Sequence, residues 1–456
     1  MDTVLLSRLQ IAITFAYHFF FVPITLGSSL FLAILETRYV RTGEVIYKNM
    51  TIFWSKIFLI NFGLGIVTGI LQEFHLGMNW GEYSRFVGDI IGAPLALDAL
   101  LAFFLESTFI GIWIFSWDKL SKRLHLACIW LVAIGTHLSG YFILIANSFM
   151  HNPVGYGVEG ERLIMASPGK MALNPYLWHQ FPHVVTAGIT TAGFLYLSFS
   201  AWHLLQKDPE RKEFFTRSFR LAATFAFIGA VLVGLIGHAQ GQYLAKVQPL
   251  KVMAMEGHWE TEQPGSFSVI ALIDQENQEN PFDLKIPYAL SFLLYNDFSS
   301  EVKGIIDLQA EAEAQYGPGD YIPPVIILYW SLRVMIGFGL LMILLSGLAL
   351  WWSIKDKLQE RSWLLRILTF TGLLPILSTT GGWLVAESGR WPWTVRGLQK
   401  VENAVSPNLS PGTIALTLVV LTLLYGVLTI IGVKLAIKHG TADPQPAQEK
   451  GEQQWT

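Results

Sequence analysis

The chain has 456 residues, of which 52% are hydrophobic and only 14% charged, where soluble domains carry about a quarter charged residues. That balance excludes a soluble globular protein and predicts an integral membrane protein. A single cysteine, Cys128, excludes an internal disulfide, a cysteine-ligated iron–sulfur cluster and a cysteine-rich zinc site.

No cleavable leader is expected, because Met1–Leu9 has no basic region ahead of its apolar run. Nine apolar segments are long enough to cross a bilayer: 10–35, 52–71, 90–117, 124–149, 176–205, 218–240, 324–352, 364–386 and 412–436. The net charge of −3 is silent as a total, but its distribution is not. Basic residues follow the odd-numbered spans: Arg38, Arg41 and Lys48; Lys119, Lys122 and Arg123; Lys207, Arg211, Lys212 and Arg217; Lys355, Lys357 and Arg361; then Lys434 and Lys438. The positive-inside rule therefore predicts an all-α membrane protein of about nine helices, N-terminus outside and C-terminus inside.

The first span carries His18 among aromatic residues. A lone intramembrane histidine is either a hydrogen-bonded structural residue or a metal ligand. The third span holds Asp98 and Glu106 with no basic residue between them. Eight residues of helix put them on one stripe, about 12 Å apart along the axis. They read either as hydrogen-bonded neutral carboxyls or as a proton relay, Asp98 nearer the outside and Glu106 deeper. The fifth span opens at Asn174-Pro175, a sound helix start. His179 and His183 lie four apart, but no third ligand follows for zinc. Small residues beside His183 (Thr186, Ala187 and Thr190) leave room either for a flat ligand or for a neighbouring helix.

The stretch 241–322 is the one large non-membrane segment, acidic and predicted outside. Its opening, 241–260, has helical apolar spacing and reads as ordered and membrane-proximal; 274–280 reads as mobile. The chain thus divides into 1–240 with six spans, the external loop 241–322, 323–438 with three spans, and a disordered cytoplasmic tail, 439–456. In the seventh span Arg333 and Met335 point to nearly opposite faces, and Gly339, one turn from Met335, would let a flat ligand approach. Met335 alone reads as core filler. The eighth span runs from Leu364 to Leu384 and closes on Glu387 and Arg390 before Trp391-Pro392-Trp393. That pair is either an ionic anchor for a helix end, or Glu387 is a metal ligand or proton carrier.

Taken in order, several separated motifs resemble the heme-bearing subunit I of cytochrome bd-type quinol oxidases, from Leu6 to about Lys438. They are Arg8 with the His18 segment, Trp80-Gly81, Gly88-Asp89-Ile90-Ile91-Gly92-Ala93-Pro94, Phe103-Phe104-Leu105-Glu106-Ser107-Thr108-Phe109, Asn147 with Asn152-Pro153, His183, Lys251 and Glu256, Ser331-Leu332-Arg333-Val334-Met335, and Gly382-Trp383-Leu384-Val385-Ala386-Glu387-Ser388-Gly389-Arg390. The resemblance implies a multi-pass protein of the bacterial inner membrane that oxidises quinol outside and reduces oxygen to water without pumping. It implies His183 and Met335 as axial ligands of a low-spin heme b, and His18 and Glu387 as ligands of two high-spin hemes. One of these is a heme b; the other, at the oxygen site, is a heme d or, in a variant subgroup, a heme b. It also implies Lys251 and Glu256 as quinol-interacting residues, Asp98 and Glu106 as the proton route, and Arg333 and Arg390 beside heme propionates. The implied partners are a second membrane subunit, small single-span subunits, quinol, oxygen and lipid, with no nucleic acid. The chain departs from the family at Asp98, where a glutamate is expected, and at Trp391, where glutamine commonly precedes the proline. Its external loop is the short form. Two other readings are a proton-coupled transporter, for which no inverted repeat stands out, and a heme protein passing electrons to a protein partner.

Overall fold

The structure, a computed structural model, describes residues 3–444. The expected disordered tail, 439–456, is corrected at its start, where helix continues to Gly440, Thr441 N bonds to Ile437 O at 2.9 Å and Asp443 pairs with Arg211; the part beyond residue 444 lies outside the described residues. Helix α1 (Thr3–Thr42) turns at Gly43, whose φ of +74° is left-handed, into α2 (Val45–Asn79). Next come α3 (Gly81–Leu97), a π-helical stretch (Asp98–Phe103) and α4 (Phe104–Phe115), one continuous rod. The π stretch follows Pro94, which lacks an amide donor and loosens the ladder there. Ser121 caps α5 (Lys122–His151), and a hairpin, β1 (Tyr156–Glu159) with β2 (Arg162–Met165), leads through α6 (Pro168–Ala172) to α7 (Pro175–Leu205). The Asn174 side chain caps α7 with Pro175 behind it, as its sequence predicts. Asp208 caps α8 (Pro209–Val247) in the same manner.

Helix α8 is longer than its apolar run, so residues 241–247 are helix and the large connecting segment begins only at 248. It consists of α9 (Pro249–Glu256), the antiparallel pair β3 (Phe267–Asp274) and β4 (Glu279–Ile286), α10 (Ala289–Tyr295) and α11 (Ile305–Tyr316). The expectation of a mobile 274–280 is corrected. It is a defined hairpin turn in which the Asp274 carboxylate accepts from the Glu276 and Asn277 amides, while Asn280 donates to Gly257 O and accepts from Trp259 Nε1. The chain ends with α12 (Val325–Ile354), α13 (Ser362–Thr369), α14 (Leu374–Ser388), the short pair β5 (Trp393–Val395) and β6 (Gln399–Lys400), and α15 (Pro411–Gly440). The eighth span is thus not one uninterrupted helix: a 3-10 turn at Thr371–Leu373 joins α13 to α14, beside Gly372 and Pro375.

Among the described residues nine helices are long and apolar enough to cross a membrane: α1, α2, the α3–α4 rod, α5, α7, α8, α12, the α13–α14 pair and α15. Where they meet, small residues set the spacing. A Cβ at Gly193 (α7) would overlap the Ala226 backbone (α8), and one at Gly229 would fall 2.7 Å from Thr190 N. The small face near His183 is therefore used, at Thr190, for helix packing. Two ends are distinct. At one, short turns are tied by Arg217 to Glu44, Arg220 to Asp356 at 2.7 Å, and His203 Nε2 to the Gly440 carbonyl at 2.8 Å. At the other, the loops form a cap, with Ser406 N on Asn79 O at 3.0 Å, Arg396 N on Met150 O at 3.0 Å and Gln248 Nε2 on His151 O at 2.9 Å.

Candidate functional site

Glu387 lies in the last turn of α14, buried beneath the cap. Arg390 Nη2 donates to its Oε2 at 2.6 Å, and Asn147 Nδ2 to its Oε1 at 3.1 Å; Gln180 Nε2 holds Asn147 Oδ1 at 2.6 Å. The ion pair is therefore real, but it is inside the protein rather than at an exposed helix end. His151, wholly buried on α5, brings Nε2 to 4.0 Å from Glu387 Oε1, and neither ring nitrogen has a hydrogen-bond partner among the described residues. Lys251 on α9 reaches in from the cap and donates to Ala386 O at 3.1 Å. Burial pushes its amine down to about 7, with Glu387 opposing and Arg390 and Arg396 assisting. Burial likewise lowers the Arg396 guanidinium from its ordinary value. Arg390 and Lys251 thus flank one carboxylate with Arg396 close to Lys251, an excess of positive charge that suits an anionic group.

His18 on α1 places Nδ1 2.9 Å from Thr68 Oγ1 on α2, and a Cβ at Gly69 would meet its Cε1 at 3.2 Å. Phe15 and Phe19, on the same helix, stack on Trp383 of α14 with centroids at 5.7 and 5.0 Å. His183 on α7 faces Gly237 of α8, where a Cβ would sit 3.1 Å from its Cε1; its Nδ1 is buried without a hydrogen-bond partner among the described residues. Met335 on α12 faces Gly382 of α14, where a Cβ would sit 3.1 Å from Sδ. The glycine beside Met335 is thus Gly382, while Gly339 opens on empty space. His179 stacks on Tyr243 at 4.7 Å instead of joining His183 on a metal.

Glu106 is buried against α5, where Thr136 Oγ1 donates to Oε1 at 2.5 Å. The Ser139 side chain faces the Asp98 carboxylate, whose Oδ1 is buried with no hydrogen-bond partner among the described residues. Thr136 and Ser139 are three apart, so both acids address one face of α5 about one turn apart. The π stretch between them replaces the regular helical stripe expected from spacing.

Lys251 and Glu256 have separate partners. Glu256 accepts from Arg333 Nη2 at 2.8 Å, and Arg333 also donates to Met255 O at 3.0 Å and to Ser268 O. Arg333 is thus tied to the cap segment, and its Nε has no hydrogen-bond partner among the described residues. It also stacks over Tyr329, 4.1 Å from the ring centre. Burial raises the Glu256 carboxyl while the Arg333 charge restrains it. Thr68, Thr136, Ser139, Gln180 and His151 escape sequence reasoning because their roles arise from cross-helix partners. Only His151, four residues after Asn147 on the same helix face, carries a local signal.

The model of the family described as cytochrome bd terminal oxidase subunit I matches residues 6–444. The chain is 45% identical to cytochrome bd ubiquinol oxidase subunit 1 of Bacillus subtilis (strain 168), covering 96% of this chain and 94% of that one. It is 35% identical to cytochrome bd-II ubiquinol oxidase subunit 1 of Escherichia coli (strain K12), over 99% and 100% of the two chains. The solved structure of the bd oxidase from Geobacillus thermodenitrificans superposes with a TM-score of 0.85 at 29% identity, covering 96% of this chain and 98% of that one. The chain belongs to the cytochrome bd terminal oxidase subunit I family, and with it to the multi-pass membrane oxidoreductases of bacterial respiration that use heme, quinol and a second subunit.

Proposed function

We propose that this chain oxidises quinol at its capped end and reduces oxygen to water with protons drawn from the opposite end. The observation that carries the reading is the pairing of each neutral candidate ligand with a glycine on a neighbouring helix: His18 with Gly69, His183 with Gly237, Met335 with Gly382, at 3.1–3.2 Å from the glycine's Cβ position. Glycine lets a flat ring come close where any side chain would stand in its way. The cations around Glu387 suit the propionates of such a ring. These residues fit heme. His183 and Met335 would hold a low-spin heme b, whose chemistry there would be one-electron transfer. His18 and Glu387 would each hold a high-spin heme, one of them a heme b and the other, at the oxygen site, a heme d or heme b. When bound, the hemes supply one-electron carriers and the place where oxygen is reduced.

The chain's own residues do the rest. The basic turns favour the cytoplasm for one end, which supports the reading that the N-terminus and the cap, including the segment from 248 to 324, face outside. There Lys251 and Glu256 bind quinol, and Glu256, oriented by Arg333, accepts its proton. Glu106, positioned by Thr136, and then Asp98, beside Ser139, pass protons from inside. Electrons and protons meet from opposite sides, so charge is separated without a pump. The second membrane subunit, and small single-span subunits, complete the assembly. The test is the purified assembly: pyridine hemochrome bands for heme b with or without heme d, and oxygen uptake driven by quinol. A colourless preparation overturns the reading; hemes without oxygen uptake would leave only electron delivery to another partner.

A further inference from the structure

We infer that Thr68 is the positioning residue of the His18 site, accepting a hydrogen bond from Nδ1–H and thereby leaving Nε2 as the bare donor nitrogen. The argument is one of proton accounting. Thr68 Oγ1 lies 3.0 Å from both Leu64 O and Gly65 O, which can only accept. The hydroxyl has one proton, and a backbone carbonyl takes it. Toward His18, at 2.9 Å, the oxygen can then only accept, so Nδ1 carries the hydrogen. A neutral imidazole has a single N–H, and Nε2 is left with its lone pair.

The Thr68 backbone is held in turn. Tyr425 Oη on α15 donates to Thr68 O at 3.3 Å, and Gln72 Nε2 donates to that hydroxyl at 3.1 Å; Thr68 and Tyr425 are both buried. Three helices thus meet behind one imidazole. His183 is the internal contrast, since its Nδ1 has no partner among the described residues. Donation from Nδ1–H strengthens Nε2 as a ligand, which favours the oxidised metal and fixes the ring plane. This inference rests on the reading of His18 as a heme ligand.

The test uses the assembled oxidase with its companion subunit, titrated electrochemically while the absorption spectrum is followed. In Thr68→Val the reduction potential of one heme shifts upward and the others stay put; Thr68→Ser restores the wild-type value. Selective loss of the heme that is also lost in His18→Ala supports the inference equally, provided Thr68→Ser retains it. A Thr68→Val enzyme with full heme content and unshifted potentials overturns it, as does the same defect in Thr68→Ser. A His18→Ala enzyme that keeps every heme sinks the ligand reading itself, whereas a heme-deficient His18→Ala beside an unaltered Thr68→Val sinks only the role of Thr68.

Discussion

Lys251 Nζ donates to the carbonyl oxygen of Ala386, the residue immediately before Glu387. The cap and the last turn of α14 therefore share a hydrogen bond, and a Cβ at Gly389 would fall 2.6 Å from Lys251 Cε. Lys251→Met should weaken quinol binding on the order of tenfold, the loss of one charged hydrogen bond. It should also perturb the absorption of the heme that Glu387 is proposed to hold. Steady-state kinetics with a soluble quinol and the reduced-minus-oxidised spectrum check both; an altered KM with an unchanged spectrum would uncouple the two sites.

Glu106→Gln keeps a hydrogen-bonding partner for Thr136 but cannot carry a proton. Oxygen reduction should slow by about a hundredfold or more, the usual worth of a positioned acid–base group, while the quinol KM stays near wild type. Turnover equal to wild type removes Glu106 from the route.

Burial raises the Glu256 carboxyl and Arg333 holds it down. Since the raised value belongs to the folded chain, Glu256 costs stability as pH climbs from the ordinary glutamate range through that value. If the carboxylate accepts the quinol proton, activity has an acid limb set by Glu256. Arg333→Gln removes the restraining charge, so the limb should move to higher pH, and Glu256→Gln should abolish it. Removing one partner of this buried pair should also cost about 3–5 kcal/mol of stability. A pH profile of Arg333→Gln that superposes on wild type contradicts the pairing.

Met335→Leu should shift the bands of the proposed low-spin heme, because on the proposed ligation a thioether is lost. Gly382→Ala should shift them less, since the new methyl presses on Sδ from 3.1 Å without replacing it. Identical spectra for wild type and Met335→Leu strike Met335 from the ligands.

Gly193→Val should lower stability by about 1–3 kcal/mol, the cost of forcing volume into a closed interface, because its Cβ would collide with the Ala226 backbone. Thermal unfolding of the detergent-purified assembly reads this directly, and an unchanged midpoint would mean that α7 and α8 separate without cost.

The spans and their order are legible in the sequence because hydrocarbon leaves few alternatives to long apolar helices. Boundaries are less so: α8 outruns its apolar stretch as far as Val247, since its last turns pack against the cap rather than lipid. The break before α14 was hidden because Gly372 and Pro375 lie within an apolar run, where length outweighs two breakers. Candidate ligands are visible as isolated polar or thioether residues on apolar helices. Their partners are not, because Thr68, Gln180 and Arg333 find theirs across the bundle. The Glu256–Arg333 pair, 77 positions apart, has no local trace.

The stack of Trp383 on Phe15 and Phe19, with interplanar angles of 3° and 16°, clamps α1 to α14. His18 and Glu387 consequently ride on one mechanical body. Flexing of the bundle would displace them together, and the tunnelling gap between whatever they carry would vary little with thermal motion. Loosening that clamp would broaden the distribution of transfer rates without touching either proposed ligand.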